Sequence, residues 1–241
     1  MNAIRAMVFG MKRHPEPHST SSEFVRDVII GMADGLTVPF AIAAGLASAG
    51  AATHTVVIAA VVSEIAAGSI SMGLGGYLAA RTDAEHYAAE RAREEREVED
   101  VPEEEEREVV QALAGYGLST AEGEAVAHSL KNRKTDWVNF MMRYELGLEA
   151  PDPTREFKSA GTIASAYIVG GIIPLAPYLF ITTNVILAVW VSVAVTLLAL
   201  MVFGYLRGVV VGIKPWKSAL QTTLVGGSAA AAAFLLAKLA S

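Results

Sequence analysis

The sequence has no cysteine among its 241 residues. Disulfides, thiolate metal sites and thiol catalysis are therefore excluded. Charge is also scarce, at 18% of residues, and it is clustered, so that no charged residue lies between Lys158 and Arg207. What is present instead is apolar: 53% of the residues are hydrophobic and the mean hydropathy is +0.40. Such a composition is typical of an integral membrane protein.

Signatures of catalysis are absent as well. The sequence has no serine nucleophile elbow, and "GLGGY" at 73–77 lacks the Lys and the Ser or Thr that complete a phosphate-binding loop. Di-iron carboxylate enzymes use Glu-x-x-His pairs on facing helices. Glu124 and His128, the nearest approach to that motif, lie four residues apart. We therefore predict a protein that is not an enzyme and uses no organic cofactor.

Long apolar runs predict five membrane crossings. A helix needs about 20 predominantly apolar residues to span a bilayer. Suitable runs occupy 28–52, 55–80 and 218–237, and the uncharged stretch 159–206 holds two more, with a turn near 182–184. The fold class predicted is an all-α membrane protein with five transmembrane helices, at 28–80 and 159–241.

Basic residues near the ends of the spans predict the orientation. They cluster before the first span, after the second, before the third and between the last two, whereas the opposite loops, "SAGAATH" and "ITTN", have none. We therefore expect the N-terminal segment 1–27 and the insert 81–158 to face the cytosol. Segment 1–27 is not expected to be a signal peptide, because charged residues and proline interrupt its short apolar run.

The insert between spans two and three, residues 81–158, is strongly acidic. It holds 20 of the 25 acidic residues and 11 of the 19 basic ones, a net charge of about −9. That charge argues against nucleic acid as a partner and favours cations. Helix signals divide the insert: a continuation of span two as far as Pro102, a helix opened by that proline, a third after a Ser119–Glu122 capping box, and a fourth at 135–147.

Acidic residues one helical turn apart within the insert can direct their oxygens to one place. Two such pairs occur, and a third group has two methionines ahead of a glutamate: Glu94 with Glu97, Glu105 with Glu108, and Met141 and Met142 with Glu145. Convergent carboxylates suit a hard divalent cation, and thioether sulfur adds a softer ligand. The alternative is a solvated acidic face with the two methionines in a core. In either case the fourth helix is expected to bury the face that carries Trp137, Phe140, Met141, Tyr144 and Leu148.

Two carboxylates lie inside predicted spans, where charge is costly and usually lines a pathway. Asp34 is the only charged residue in the first span and Glu64 the only one in the second. Gly31 and Gly35 bracket Asp34, and the stripe that begins at Glu64 continues through Gly68, Met72 and Gly75 at helical spacing. Small residues at this spacing predict close approach of another helix. Met72 is open to two interpretations, as a soft ligand or as packing.

Three motifs carry a resemblance to a known family. "SSEFVRDVIIGMADGLTVPFAIAAGLASAG" at 21–50, "EIAAGSISMGLGGYLAARTDAEHY" at 64–87 and "FMMRYELGLEAPDP" at 140–153 resemble the vacuolar iron transporter family, which includes the yeast CCC1 group. The resemblance implies a five-helix homodimer with its path at the subunit interface, exporting Fe²⁺ from the cytosol in exchange for protons. It also implies that the insert is a metal-binding domain.

The resemblance also implies residue roles. The insert ligands would be Glu94, Glu97, Glu105, Glu108, Met141, Met142 and Glu145, and the pathway residues would be Asp34, Glu64 and Met72. Fe²⁺ is the expected substrate, and Mn²⁺, Zn²⁺ or Co²⁺ could occupy the same sites. The competing hypothesis is a membrane-tethered metal buffer or sensor that does not transport. We expect a bacterial plasma membrane, or a vacuolar membrane if the source is eukaryotic.

Overall fold

The computed structural model of this chain describes residues 18–48 and 53–239; the predicted N-terminal segment therefore lies mostly outside the described residues. Within this part of the chain all regular elements are helical, and eight are α-helices. They are α1 His18–Ser48, α2 His54–Asp100, α3 Pro102–Ala114, α4 Thr120–Lys131, α5 Lys134–Phe140, α6 Arg155–Phe180, α7 Val185–Val211 and α8 Pro215–Leu239.

Five of these helices, α1, α2, α6, α7 and α8, are long and apolar enough to cross a membrane, which confirms the five predicted spans. The predicted turn at 182–184 separates α6 from α7, and the Asn184 side chain caps α7 by accepting from the backbone N–H of Leu187. Helix α2 has 47 residues, about twice what a bilayer requires. It continues without interruption to Asp100 because its second half, rich in Ala, Glu and Arg, has no Gly or Pro.

The described residues divide into two compact units, one reaching Gly73 and resuming at Gly161, the other formed by Leu74–Ala160. In the first unit α1 approaches α6 closely at the two predicted glycines. A Cβ on Gly31 would collide with the backbone oxygen of Ile163, and one on Gly35 with that of Tyr167. The small-residue pattern around Asp34 therefore works as predicted, as a contact between backbones.

The second unit packs its short helices around an apolar core. Trp137 on α5 is 1% exposed and lies in a cluster with Val109 of α3, Leu130 of α4 and Val98 of α2. Local signals set the helix starts as predicted: Pro102 occupies the first turn of α3, and Ser119 and Glu122 form a reciprocal capping box on α4. The four helices thus bury one apolar face each.

The predicted helix 135–147 differs from the structure in its second half. Helix α5 ends at Phe140 and continues as a π-helical turn, Met141–Glu145, in which the backbone N–H of Leu146 donates to the oxygen of Met141 at 3.1 Å. The wider turn shifts the register of the following side chains. Tyr144, predicted to share the buried face with Trp137, is consequently 47% exposed, and that prediction is wrong.

Candidate metal centre and ion path

Three carboxylates converge where α2 and α3 meet in the second unit. Glu94 and Glu97 lie one turn apart on α2, and Glu105 lies in the first turn of α3, after the break at Pro102. One carboxylate oxygen from each lies within 4.8 Å of the other two. That separation is small enough for a single cation to be shared by all three, since oxygen ligands lie 2.0–2.6 Å from common divalent ions.

Two of the three carboxylates are buried, which is unusual for glutamate. Glu94 is 2% exposed and Glu105 is 3% exposed. Each has one oxygen, Oε2, that is buried and accepts no hydrogen bond from the described residues. A buried carboxylate oxygen without a donor is costly. The solvated-face interpretation therefore does not fit Glu94 and Glu105.

Glu108 and Glu145 belong to the same electrostatic group. Burial and the charge of Glu94 raise the pKa of Glu105 to about 8, with further contributions from Glu108 and Glu97. Partial removal from water, followed by the charge of Glu108, raises the pKa of Glu145 to about 7, although its side chain is largely exposed. Burial and the charge of Glu97 also raise the pKa of Glu94. The structure thus brings all five predicted acidic ligands into mutual range.

The two predicted methionine ligands are fully buried. Met141 is 0% exposed and Met142 is 1% exposed, and both belong to the apolar core of the second unit. They lie in the π-helical turn that also contains Glu145. Such turns occur frequently at functional sites. Their burial is equally what packing requires, so their predicted role as ligands stays a prediction.

Arg93 is a part of the centre that the sequence analysis missed. Its guanidinium lies 3.6 Å from Oε1 of Glu94 and 3.3 Å from Oε2 of Glu97. It also contacts Oε2 of Glu90, at 2.9 Å. The sequence does contain a signal for these contacts: Glu90 precedes Arg93 by three residues and Glu97 follows it by four, and side chains at these spacings meet on one face of a helix.

In the first unit Glu64 has a partner that the sequence did not reveal. The Tyr167 hydroxyl on α6 donates to Oε1 of Glu64, and Gly68 makes room for the tyrosine ring. The other oxygen of Glu64, Oε2, is buried without a hydrogen-bond partner among the described residues. Met72, two turns further along α2, is half-buried, and its pathway role stays a prediction.

Asp34 lines a cavity of about 330 Å³ between α1, α7 and α8. Polar groups from the other helices face the same cavity, among them Arg207 and Thr222, whose Nε and Oγ1 atoms are buried without hydrogen-bond partners in the described residues. Asp27, two turns before Asp34 on the same face of α1, is 1% exposed and lies 3.8 Å from the Nε of Arg26. The sequence analysis missed Asp27 because it stands just outside the apolar run.

At the Gly75 end of the stripe on α2, close helix packing is not seen among the residues that the structure describes. A Cβ on Gly75 would meet no atom within 4 Å, whereas one on Gly68 would collide with the Tyr167 hydroxyl. Large apolar side chains nearby on α2 are also exposed, with Ile70 at 71% and Leu74 at 55%. The prediction of close helix approach is therefore confirmed at Gly68 and not at Gly75.

Five helices long and apolar enough to cross a membrane define an all-α integral membrane protein. Two of the apolar runs predicted as spans hold one carboxylate each, and three more carboxylates converge in the second unit. Residues 25–238 match the model of the VIT family. The chain is 52% identical over 228 residues to vacuolar iron transporter 1 of Eucalyptus grandis, covering 95% of this chain and 91% of that protein. The chain is also 52% identical to vacuolar iron transporter 1 of Arabidopsis thaliana, and the match covers 95% of this chain and 90% of that protein.

A more distant relative extends the comparison to fungi. Protein CCC1 of Saccharomyces cerevisiae is 36% identical over 229 residues, covering 92% of this chain and 70% of the yeast protein. The chain belongs to the VIT family, as the three sequence motifs indicated. Its relatives are named as transporters, in agreement with the prediction that the protein is not an enzyme.

Proposed function

We propose that this protein exports Fe²⁺ from the cytosol across a membrane in exchange for protons. The observation that carries the proposal is the pair of buried glutamates, Glu94 and Glu105, which converge with Glu97 and each have one oxygen without a hydrogen-bond partner among the described residues. The names of the relatives, vacuolar iron transporters of plants, support iron as the substrate. The cluster would collect the ion from the cytosol, and the carboxylates of the spans would carry it across.

The capture step follows from charge. Five acids that share one region repel one another, so a dication gains by neutralising them and by filling positions that now lack a hydrogen-bond donor. Fe²⁺ accepts both oxygen and thioether ligands, and Met141 and Met142, which lie in the same π-helical turn as Glu145, are the only methionines of the second unit. Oxygen-dominated ligation without thiolate or imidazole favours release as well as binding.

The transport step would use Asp34 and Glu64. A lone carboxylate in a membrane-spanning helix is most stable when it holds a proton or binds a cation. Alternation between those two states exchanges metal for protons. Tyr167 would keep one oxygen of Glu64 oriented by its hydrogen bond and leave Oε2 for the ion. Met72 would supply a thioether on the same helix.

Assembly and membrane belong to the same proposal. A homodimer with the path at the subunit interface would bury the open surface of α2 around Gly75 and Ile70. The basic residues at the span ends support a cytosolic insert. The relatives are named as vacuolar, which supports a vacuolar membrane; the bacterial plasma membrane stays a prediction from sequence. Mn²⁺, Zn²⁺ and Co²⁺ are secondary candidate substrates.

Flux measurements on purified protein in liposomes test the proposal. We expect Fe²⁺ uptake to follow an imposed pH gradient, and Asp34→Asn to abolish uptake while its unfolding temperature in detergent stays that of the wild type. Glu23→Gln is a matched control, since Glu23 lies on the same helix ahead of the apolar run that begins at Val28. Unchanged flux in Asp34→Asn would refute the transport step.

The same assay separates transport from the competing buffer or sensor hypothesis. Glu64→Gln leaves the carboxylate cluster intact, so both hypotheses predict normal metal binding by this variant. Only the transporter predicts that the wild type shows flux and that the variant loses it. Binding without flux in the wild type would favour the buffer or sensor.

A further inference from the structure

Arg93 brings a positive charge of the protein itself to the metal centre. Its guanidinium contacts three carboxylates of α2, two of which, Glu94 and Glu97, belong to the three-carboxylate cluster. The third, Glu90, is the closest to the guanidinium and lies outside that cluster. The arginine side chain is 45% exposed, whereas that of Glu94 is only 2% exposed.

A dication and a guanidinium cannot share the same carboxylate oxygens without repulsion. Oε1 of Glu94 and Oε2 of Glu97 are within contact distance of Arg93, and these carboxylates are the ones that a bound ion would use. Metal binding must therefore weaken both contacts. Glu90, which is not one of the three clustered carboxylates, lies 2.9 Å from Arg93, so the guanidinium keeps a partner when the other two contacts weaken.

We propose that Arg93 is an internal competitor that lowers the affinity of the cluster for Fe²⁺, so that the captured ion can be passed on. The inference rests on the proposed function, because it assumes that the carboxylate cluster binds metal. The competing interpretation gives Arg93 a positioning role, in which its contacts hold Glu94 and Glu97 in a binding geometry. The two interpretations predict opposite changes in affinity when the charge is removed.

The test is anaerobic calorimetric titration of the full-length protein in detergent with Fe²⁺. Arg93→Gln removes the competing charge, and Arg91→Gln is the matched control: Arg91 lies on the same helix but contacts Glu95 and Asn139 instead of the cluster. A unit charge about 5 Å from a dication in a water-like dielectric changes affinity by about tenfold. We expect Arg93→Gln to bind about tenfold more tightly and Arg91→Gln to stay within about twofold, because salt screens the more distant charge.

Arg93→Lys keeps the charge but not the guanidinium geometry, and we expect its affinity to stay within about threefold of the wild type, because the competition depends on charge. Unchanged or weaker binding by Arg93→Gln would overturn the inference and assign Arg93 a positioning role. Failure of the wild type to bind Fe²⁺ would be a different result, since it would refute the proposed function of the cluster itself.

Discussion

Replacing Glu105 with glutamine should stabilise the metal-free second unit at neutral pH while abolishing its metal binding. Glu105 is 3% exposed, and burial together with Glu94 raises its pKa to about 8 from an ordinary value of 4.5. Folding at pH 7 therefore forces this side chain either to take up a proton or to remain charged among other acids. Glutamine has nearly the same shape and carries no charge at any pH.

The size of the effect follows from proton linkage. Between pH 4.5 and about 8 the folded chain holds a proton on Glu105 that the unfolded chain has released, so stability falls as the pH rises through this range. One pKa unit corresponds to 1.36 kcal/mol, which makes the cost at pH 7 on the order of 3 kcal/mol. The cost vanishes below pH 4.5, where both states are largely protonated. The advantage of Glu105→Gln should therefore grow with pH.

Trp137 provides the assay, because it is 1% exposed in the core of the second unit. With Trp190 and Trp216 replaced by phenylalanine, thermal unfolding followed by fluorescence in detergent and chelator reports on this unit alone. We expect Glu105→Gln to unfold at least about 5 °C above the parent at pH 7. Added Fe²⁺ should reverse the order, since only the parent binds it.

Glu104→Gln is the control, because Glu104 is the adjacent residue of α3 and is exposed, with its carboxylate 3.4 Å from Arg107. This variant should retain the pH dependence of the parent. If the unfolding temperatures of Glu105→Gln and of the parent changed with pH in parallel, Glu105 would be shown to titrate as an ordinary surface acid. The same result would remove the electrostatic reason for a cation at this site.

Four further variants test other contacts. Gly35→Ala should destabilise the protein by about 2 kcal/mol in detergent, because its Cβ would collide with the Tyr167 backbone, whereas Gly161→Ala on α6 should not destabilise it, since nothing lies within 4 Å of the added Cβ. Tyr167→Phe removes the hydrogen bond to Glu64 and should slow Fe²⁺ flux in liposomes by about tenfold without loss of assembly; unaltered flux would exclude an orienting role. Met141→Leu should weaken Fe²⁺ binding by about threefold and leave Mg²⁺ binding unchanged; equal effects on both ions would indicate packing alone.

The features that the sequence predicted correctly are those determined by local chemistry. Apolar run length indicated the five spans, Pro102 marked the start of α3, and the Ser119–Glu122 box marked that of α4. Each of these depends on residues within one or two turns of chain. The glycines around Asp34 were recognised for the same reason, because the spacing of small residues on one helix is visible without knowing its partner.

Features set by contacts between distant residues were not predicted. Tyr167 lies 103 residues from Glu64, and nothing near either residue indicates the other. The π-helical turn at Met141–Glu145 inserts a wider turn that helical periodicity cannot anticipate, which is why Tyr144 was placed on the wrong face. Only the burial of Glu94 and Glu105 distinguishes the metal-centre interpretation from a solvated acidic face, and burial depends on how α2 and α3 pack.

Glu64 in the spans and Glu94 and Glu105 in the second unit share one property, an Oε2 atom that is buried and has no hydrogen-bond donor in the described part of the chain. Each such atom costs about 1–3 kcal/mol relative to a satisfied one. A chain that needed only an anchor and an acidic surface could replace these side chains with leucine or glutamine and become more stable. A bound dication or proton removes this cost. The free energy of folding that the metal-free protein lacks therefore contributes to the affinity for the ion. Because each carboxylate recovers only a few kcal/mol, the ion is held at each position weakly enough to leave it again, as transport requires.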